Sequence, residues 1–138
     1  MEIRNFANSD RHQVVSLWND IFPGSVGHNE PEGAIDRKIA ANDGLFFVAT
    51  VDDRIVGTII AGYDGHRGWL YSVAVDNAHR RQGVGSALVR HAESALAELG
   101  CPKLNLQVRS SNAGATAFYE SLGFQTEERI SMGKLVDD

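Results

Sequence analysis

Residues 73–85 read VAVDNAHRRQGVG, and their order predicts a strand, a basic turn and then the start of a helix. The first backbone N–H groups of a helix lack intrahelical partners, and the helix dipole adds about half a positive charge there. Gly83 and Gly85 lack a Cβ, so an anion can approach the backbone closely. Arg80 and Arg81 add side chains that can grip phosphate through paired hydrogen bonds. The stretch therefore predicts a diphosphate-binding turn.

Two other phosphate motifs do not fit this turn. A Walker A loop ends in Gly-Lys-Ser/Thr, and the sequence contains no such ending. The dinucleotide fingerprint GxGxxG would place its last glycine where the chain has Leu88. The structural alternative is that the glycines only start a helix and the arginines only solvate a loop. The preceding strand, the arginines and the long helix together favour the anion site.

Outside this turn, alternating apolar residues predict strands, and a 3.6-residue period predicts helices. The predicted strands lie near Ile3 and Phe6, at 45–51, 55–63, 69–75 and 103–108, at Phe124 and at 130–136. The predicted helices run from Ser9 or Asp10 through Trp18, from Pro31 to Gly44, from Val84 to Gly100, and from Ser111 or Asn112 to Gly123. We expect one domain, 1–138, of the α+β (mixed α/β) class. It should have four helices on a mostly antiparallel, twisted sheet of about seven strands.

Composition limits the partners. A net charge of -5 argues against a nucleic acid or an acidic membrane, since either would favour a basic excess. No apolar run approaches the roughly 20 residues of a membrane helix, and no apolar leader precedes the first strand. The single cysteine, Cys101, excludes an intramolecular disulfide and fits a reducing compartment. We therefore expect a cytoplasmic protein that uses no metal and binds a small anion at the basic cluster 79–81.

Two motifs carry a family resemblance. Residues 80–85, RRQGVG, match the pattern Arg/Gln-x-x-Gly-x-Gly/Ala, and residues 112–124, NAGATAFYESLGF, match Asn-x-x-Ala-x-x-Phe-Tyr-x-x-x-Gly-Phe. In both motifs, and in the order of elements along nearly the whole chain, the sequence resembles the GCN5-related N-acetyltransferase (GNAT) superfamily. The stretches 1–4, 62–68 and 100–103 look like its small bacterial YpeA-like branch.

The resemblance implies that acetyl-CoA is the co-substrate and that the predicted strands 69–75 and 103–108 are parallel and splay apart to admit it. It places Val73, Ala74 and Val75 along the pantetheine arm, with a backbone N–H near Val73 polarising the thioester carbonyl. It assigns the pyrophosphate to the turn formed by Arg80, Arg81, Gln82, Gly83, Val84, Gly85 and Ser86.

The second motif would supply a proton. By resemblance, Asn112 contacts the CoA arm and Tyr119 stands near the thioester sulfur as general acid. A phenol with a pKa near 10 can protonate a thiolate. The structural alternative for Tyr119 is packing beside Phe118 on an apolar helix face.

The general base is less well defined. Many family members carry a glutamate just before the strand that corresponds to 69–75. The matching position here is near Arg67, which cannot be a base. His66 has a suitable pKa range, although a histidine in a Gly-rich turn is usually solvated. Asp64 fits a turn-capping role better. Tyr71 and Ser72 can line the site or order a water, and a chain of waters without a dedicated base stays open.

These observations predict an N-acetyltransferase that moves an acetyl group to a primary amine of a small molecule or peptide by direct attack in a ternary complex. A non-catalytic acyl-CoA sensor on the same fold is the alternative, and a different phosphate-ligand protein is a third hypothesis. Glu30, Glu32 and Asp36 either attract a cationic acceptor or only solvate and cap a helix. A homodimer through 128–136 is a further hypothesis.

Overall fold

The computed structural model describes residues 1–136, which fall into two compact units, Met1–Gln107 and the chain from Val108 onward. The first unit contains the strands β1 (Glu2–Asn5), β2 (Phe46–Val51), β3 (Arg54–Tyr63), β4 (Gly68–Val75) and β5 (Leu104–Leu106). It also contains the helices α1 (Arg11–Ile21), α2 (Pro31–Ala41) and α3 (Val84–Glu98), and the second unit contains α4 (Ala113–Ser121). The single domain 1–138 stays a prediction.

The strands form one five-stranded sheet in the order β1-β2-β3-β4-β5. The pairs from β1 to β4 are antiparallel, whereas β4 and β5 are parallel. A parallel pair needs a long crossover connection, and α3 supplies it here. The mixed α/β fold with four helices is therefore confirmed.

The predicted number of about seven strands is wrong. Within residues 1–136 the sheet has five strands, β5 is shorter than the predicted 103–108, and the chain beyond α4 forms no strand. Ile130 and Met132 are 89% and 90% exposed. Alternation shows that a segment has an apolar face, but a strand also requires a neighbouring backbone to pair with, which the alternating residues do not reveal.

One face of the sheet is covered by α1 and α2. The buried cluster on this face includes Val14, Leu17, Trp18, Ile35, Phe46, Val48, Ile55, Ile60 and Ala74. The ring of Phe46 stacks on Phe6 with centroids 4.4 Å apart and on Trp18 with centroids 5.8 Å apart. Trp18 is thus a core residue, as expected for an apolar position of an amphipathic helix.

The other face is covered by α3, whose buried side chains are Val84, Leu88, Val89, Ala92 and Leu96. Gly57 of β3 lets this helix approach closely, because a Cβ there would lie 2.9 Å from side-chain atoms of Val84 and Leu88. At the other end of the helix, a Cβ on Gly68 would lie 2.9 Å from the Leu96 side chain. The helix predicted from Val84 is confirmed.

The boundaries of α2 agree with the prediction at one end only. Pro31 is the first helical residue, and the Glu30 carboxylate accepts hydrogen bonds from the next free N–H groups. The helix ends at Ala41 rather than at Gly44, because Asn42 adopts the left-handed conformation (φ 47, ψ 45) that closes a helix. Asparagine tolerates this conformation better than most residues, so it takes the place that glycine usually fills.

Candidate functional site

The strand β4 has two differently paired halves. Its first half, Gly68–Leu70, pairs with β3 on one side and with β5 on the other, and the β5 register ends at the pair Leu70↔Leu106. In the second half β3 is the partner strand, and its register shifts: Ile60 faces Tyr71, whereas Thr58 faces Ala74. Within the described chain, Ser72 and Val73 of β4 have no register partner on β3 or on β5.

This shift is a β-bulge at Ser72 and Val73. Ser72 has a φ of 50°, in the left-handed region that a non-glycine residue seldom enters. A bulge bends its strand and removes backbone groups from the ladder. The second half of β4 therefore offers backbone N–H and C=O groups to a ligand on the side where β5 no longer follows it. The pairing of the two parallel strands ends at Leu70↔Leu106, and their splay around acetyl-CoA stays a prediction.

The turn after β4 is anchored at Asp76. The Asp76 N–H donates to the Val56 carbonyl at 2.8 Å, and the Asp76 carboxylate lies 3.2 Å from Nδ1 of His79. Its other oxygen accepts from the Ala78 N–H at 3.5 Å. These contacts fix the first part of the turn, so that the basic residues which follow project from a defined position.

The basic part of the turn is open to solvent. Arg80, Arg81, Gln82 and Gly83 are all exposed. Arg81 and Gly83 have left-handed φ values of 63° and 81°. Among the described residues, none forms an ion pair with either arginine. The two guanidinium groups are therefore available for an external anion.

The start of α3 carries the features that the sequence predicts for a diphosphate site. Gly83 precedes the first helical residue, Val84, and in the described chain no side chain caps the free N–H groups there. A Cβ on Gly83 would meet no atom within 4 Å, so the space in front of the helix is open. Uncapped N–H groups, a helix dipole and two arginines together fit a diphosphate.

The turn before β4 is built around Asp64, as predicted. One carboxylate oxygen accepts from the backbone N–H groups of His66 and Arg67 at 2.8 and 2.7 Å. The bonds from Arg67 and His66 lower the pKa of Asp64. His66 itself is exposed at the end of β4 opposite Val73. A strand rise of about 3.3 Å per residue puts these two backbones on the order of 20 Å apart.

The acids of α2 have structural partners. Glu30 accepts from the N–H groups of Glu32 and Gly33 at 2.6 and 3.1 Å. Arg11 of α1 forms ion pairs with Glu32 at 3.0 Å and with Asp36 at 2.8 Å. Capping and inter-helix pairing therefore account for all three carboxylates, and the expectation that they only cap or solvate a helix is the better supported one.

In the second unit, Asn112 caps α4. Its side-chain oxygen accepts from the Ala115 N–H at 3.0 Å, as predicted from the sequence. The ring of Tyr119 lies edge-on to Phe118 and Phe124, with centroids 4.9 and 5.7 Å away. Burial raises the pKa of Tyr119, so the phenol keeps its proton at neutral pH.

The described residues 1–136 contain no group of three or more His, Cys, Asp and Glu side chains that could hold a metal ion. Among the described helices, none is both long enough and apolar enough to span a bilayer.

The comparisons with known proteins agree with this architecture. Residues 11–124 match the model of the acetyltransferase (GNAT) family. An acetyltransferase of Yersinia enterocolitica is 41% identical over 136 residues, which cover 97% of this chain and 94% of the relative. The chain therefore belongs to the GNAT acetyltransferase family.

Solved structures show the same fold. The ribosomal-protein-S18-alanine N-acetyltransferase of Escherichia coli is 31% identical with a TM-score of 0.71, covering 90% of this chain and 77% of that one. The aminoglycoside N-acetyltransferase AAC(6')-Iy in complex with CoA has a TM-score of 0.80 at 20% identity, covering 97% of this chain and 93% of that one. At that identity the second likeness concerns the fold alone.

Proposed function

We propose that this protein is an N-acetyltransferase that moves an acetyl group from acetyl-CoA to a primary amine of a small molecule or peptide, by direct attack in a ternary complex. One observation carries the proposal. β4 loses its β5 partner after Leu70, bulges at Ser72 and leads into an uncapped helix start flanked by two exposed arginines. Membership of an acetyltransferase family supports the same chemistry.

The donor side is formed by backbone and by arginines. The turn from Arg80 to Ser86 would hold the pyrophosphate, and the backbone of Val73, Ala74 and Val75 would bind the pantetheine arm. Acetyl-CoA supplies the activated thioester. An N–H near Val73 would stabilise the negative charge that develops on the thioester carbonyl oxygen. The CoA complex of a protein with the same fold supports acetyl-CoA as the donor.

Tyr119 is the proposed proton donor to the departing thiolate, and Asn112 the proposed contact to the CoA arm. The phenol carries its proton at neutral pH; burial raises its pKa, which keeps the proton in place but lowers the driving force for its transfer. The amine must be neutral to attack. His66 is the side chain predicted as its base, but its place in the turn before β4 requires a chain of waters between it and Val73. Two bound substrates held side by side supply a large part of the rate enhancement.

The remaining parts of the proposal concern the setting of the enzyme. We propose a cytoplasmic protein with one domain, 1–138, in the small bacterial YpeA-like branch. Bacterial relatives of similar length support this assignment. The homodimer through 128–136 stays a hypothesis, and the exposed apolar side chains of Ile130 and Met132 are the observation that favours it.

The experiment is an amine panel with detection of the released thiol, run on the native protein and on Tyr119→Phe. The panel contains a polyamine, free amino acids and a peptide amine. Loss of a general acid should lower kcat by about a hundredfold while acetyl-CoA binding measured by calorimetry stays the same. Tyr63→Phe is the matched control, because the hydrogen bonds of the Tyr63 hydroxyl within residues 1–136 go to the carbonyl groups of Gly65 and Gly100, at 3.3 and 3.4 Å.

The outcomes separate the hypotheses. Turnover that falls in Tyr119→Phe but not in Tyr63→Phe supports the proposal. Binding of acetyl-CoA without turnover of any amine favours the acyl-CoA sensor. A folded protein that binds no acetyl-CoA contradicts both.

A further inference from the structure

The bulge in β4 holds Ser72 in a backbone conformation that a strand residue does not ordinarily adopt. Ser72 is not a glycine, yet its φ is 50°. Such a backbone conformation is unfavourable in free energy by itself, and it persists only where surrounding contacts hold it. The contacts that hold Ser72 therefore control where the neighbouring N–H of Val73 points.

The contact to Ser72 comes from β3. The Thr58 hydroxyl donates to the Ser72 carbonyl oxygen at 2.9 Å. Thr58 is fully buried, with 0% of its surface exposed, so water does not compete for this bond. A backbone carbonyl that the bulge has removed from the ladder is in this way satisfied by a side chain of the neighbouring strand.

A second hydrogen bond fixes the hydroxyl itself. The indole Nε1–H of Trp18 donates to Oγ1 of Thr58 at 2.8 Å. An indole nitrogen only donates and a carbonyl only accepts, so the proton of the Thr58 hydroxyl must point to Ser72. The two bonds form a buried relay with one direction, from Trp18 through Thr58 to Ser72.

The first member of the relay is rigidly placed. Trp18 is 3% exposed and stacks on Phe46, which also stacks on Phe6. The relay joins α1, β3 and β4, whose residues are far apart in the sequence. A shift of α1 is therefore transmitted to the bulge through two short bonds rather than through loose packing.

We propose that Trp18 and Thr58 are positioning residues for acetyl transfer, because they hold the β4 bulge that aims the Val73 N–H at the thioester carbonyl. Both side chains are buried, so we expect neither of them to touch substrate. This inference rests on the proposed function for its catalytic consequence, while its geometric part, that the relay sets the backbone of Ser72 and Val73, stands independently.

The test uses isosteric variants. Thr58→Val keeps the shape of the side chain but removes both hydrogen bonds, and Thr58→Ser keeps the hydroxyl. Trp18→Phe removes the indole N–H and leaves the hydroxyl of Thr58 free to rotate. Thr50→Val is the matched control, because Thr50 is a buried threonine of β2 that is 7% exposed and lies outside the relay.

Two readouts distinguish positioning from stability. Thermal unfolding reports the loss of stability in each variant. The three-bond HN–Hα couplings of Ser72 and Val73, measured by NMR in the absence of substrate, depend on φ and therefore report the bulge itself. Steady-state kinetics with the best amine of the panel then separates kcat from the dissociation constant of acetyl-CoA measured by calorimetry.

We expect Thr58→Val to move the HN–Hα couplings of Ser72 and Val73 toward those of a regular strand and to lower kcat by about tenfold or more, because small misplacements of catalytic groups have effects of this size. The dissociation constant of acetyl-CoA should change less than kcat does, by less than about tenfold, since the proposed pyrophosphate contacts at the turn 80–86 lie outside the bulge. Thr58→Ser should restore both readouts, and Trp18→Phe should give an intermediate result.

The relay is refuted if folded Thr58→Val keeps the native couplings of Ser72 and Val73, or if Thr50→Val changes them as much. Unchanged couplings overturn the inference whether or not the native protein turns over an amine. Altered couplings with an unaltered kcat in an active enzyme overturn its catalytic part. A native protein that transfers no acetyl group speaks against the proposed function, and the couplings still decide whether the relay holds the bulge.

Discussion

The two halves of β4 differ in what their backbone does. In Gly68–Leu70 both edges of the strand pair with neighbours, antiparallel with β3 and parallel with β5. In the second half β5 is no longer in register, and the ladder to β3 is interrupted by the bulge at Ser72 and Val73. One strand thus serves as sheet at its beginning and as candidate ligand-binding backbone at its end.

This difference shows how one strand can combine a half that is fixed in the sheet with a half whose backbone is open to a ligand. The first half is locked by its neighbours and fixes the strand in the sheet. In the second half, Thr58 bonds the Ser72 carbonyl and α3 packs closely against the sheet at Gly57. These contacts keep the edge that faces away from β3 ordered, although β5 no longer pairs with it. A preorganised backbone of this kind would bind a ligand without the entropic cost of ordering a loop.

The largest effect on acetyl-CoA binding should come from adding a negative charge to the turn that follows the second half of β4. Gly83→Asp places a carboxylate at the uncapped start of α3, where it would repel a diphosphate. We expect the affinity for acetyl-CoA to fall by about a hundredfold, measured by calorimetry.

Gly83→Asn is its matched control. Both substitutions accept the left-handed φ of 81° at this position, which Asp and Asn tolerate better than other residues. The asparagine variant adds the same volume without the charge and should lose less than about tenfold in affinity. Equal losses in the two variants would show that backbone strain, and not charge, governs the turn.

A smaller effect is expected from adding a Cβ against α3, and its size should differ between the two ends of the helix. In Gly57→Ala the added Cβ would lie 2.9 Å from side-chain atoms of Val84 and Leu88 and 3.1 Å from the backbone oxygen of Ala74. Because that carbonyl cannot move away easily, the start of α3 must shift. We expect a loss of about 1–3 kcal/mol in the free energy of unfolding. The affinity for acetyl-CoA should also weaken measurably.

Gly68→Ala makes the corresponding change at the first half of β4. Its Cβ would lie 2.8 Å from Sγ of Cys101 and 2.9 Å from Cδ1 of Leu96, which are ends of side chains that can move. Chemical denaturation should show a smaller loss of stability, and calorimetry should show the native affinity. An equal loss of affinity in both variants would break the distinction between the two halves.

Much of this architecture could be predicted from the sequence. The turn at 80–85 and the helix from Val84 follow from glycine, arginine and the 3.6-residue period, and all of them are local properties. The cap at Asn112 and the turn at Asp64 are likewise set by short side chains that bond their own backbone.

The features that escaped prediction depend on distant partners. Tyr71, Ser72 and Val73 read as an ordinary strand, and only the register against β3 reveals the bulge. Thr58 stands in an apolar strand, where a threonine fits by β-propensity alone, and its bond to Trp18 spans a large separation in the sequence. The strand expected at 130–136 was wrong for the related reason that alternation does not name a pairing partner.

The most direct test of the central claim is an NMR titration of ¹⁵N-labelled protein with acetyl-CoA. We expect the backbone amides of Val73, Ala74, Gly83 and Gly85 to shift strongly, while those of Trp69 and Leu70 in the first half of β4 stay in place. Shifts confined to the first half, or a turn at Gly83 that does not respond to saturating acetyl-CoA, would contradict the account.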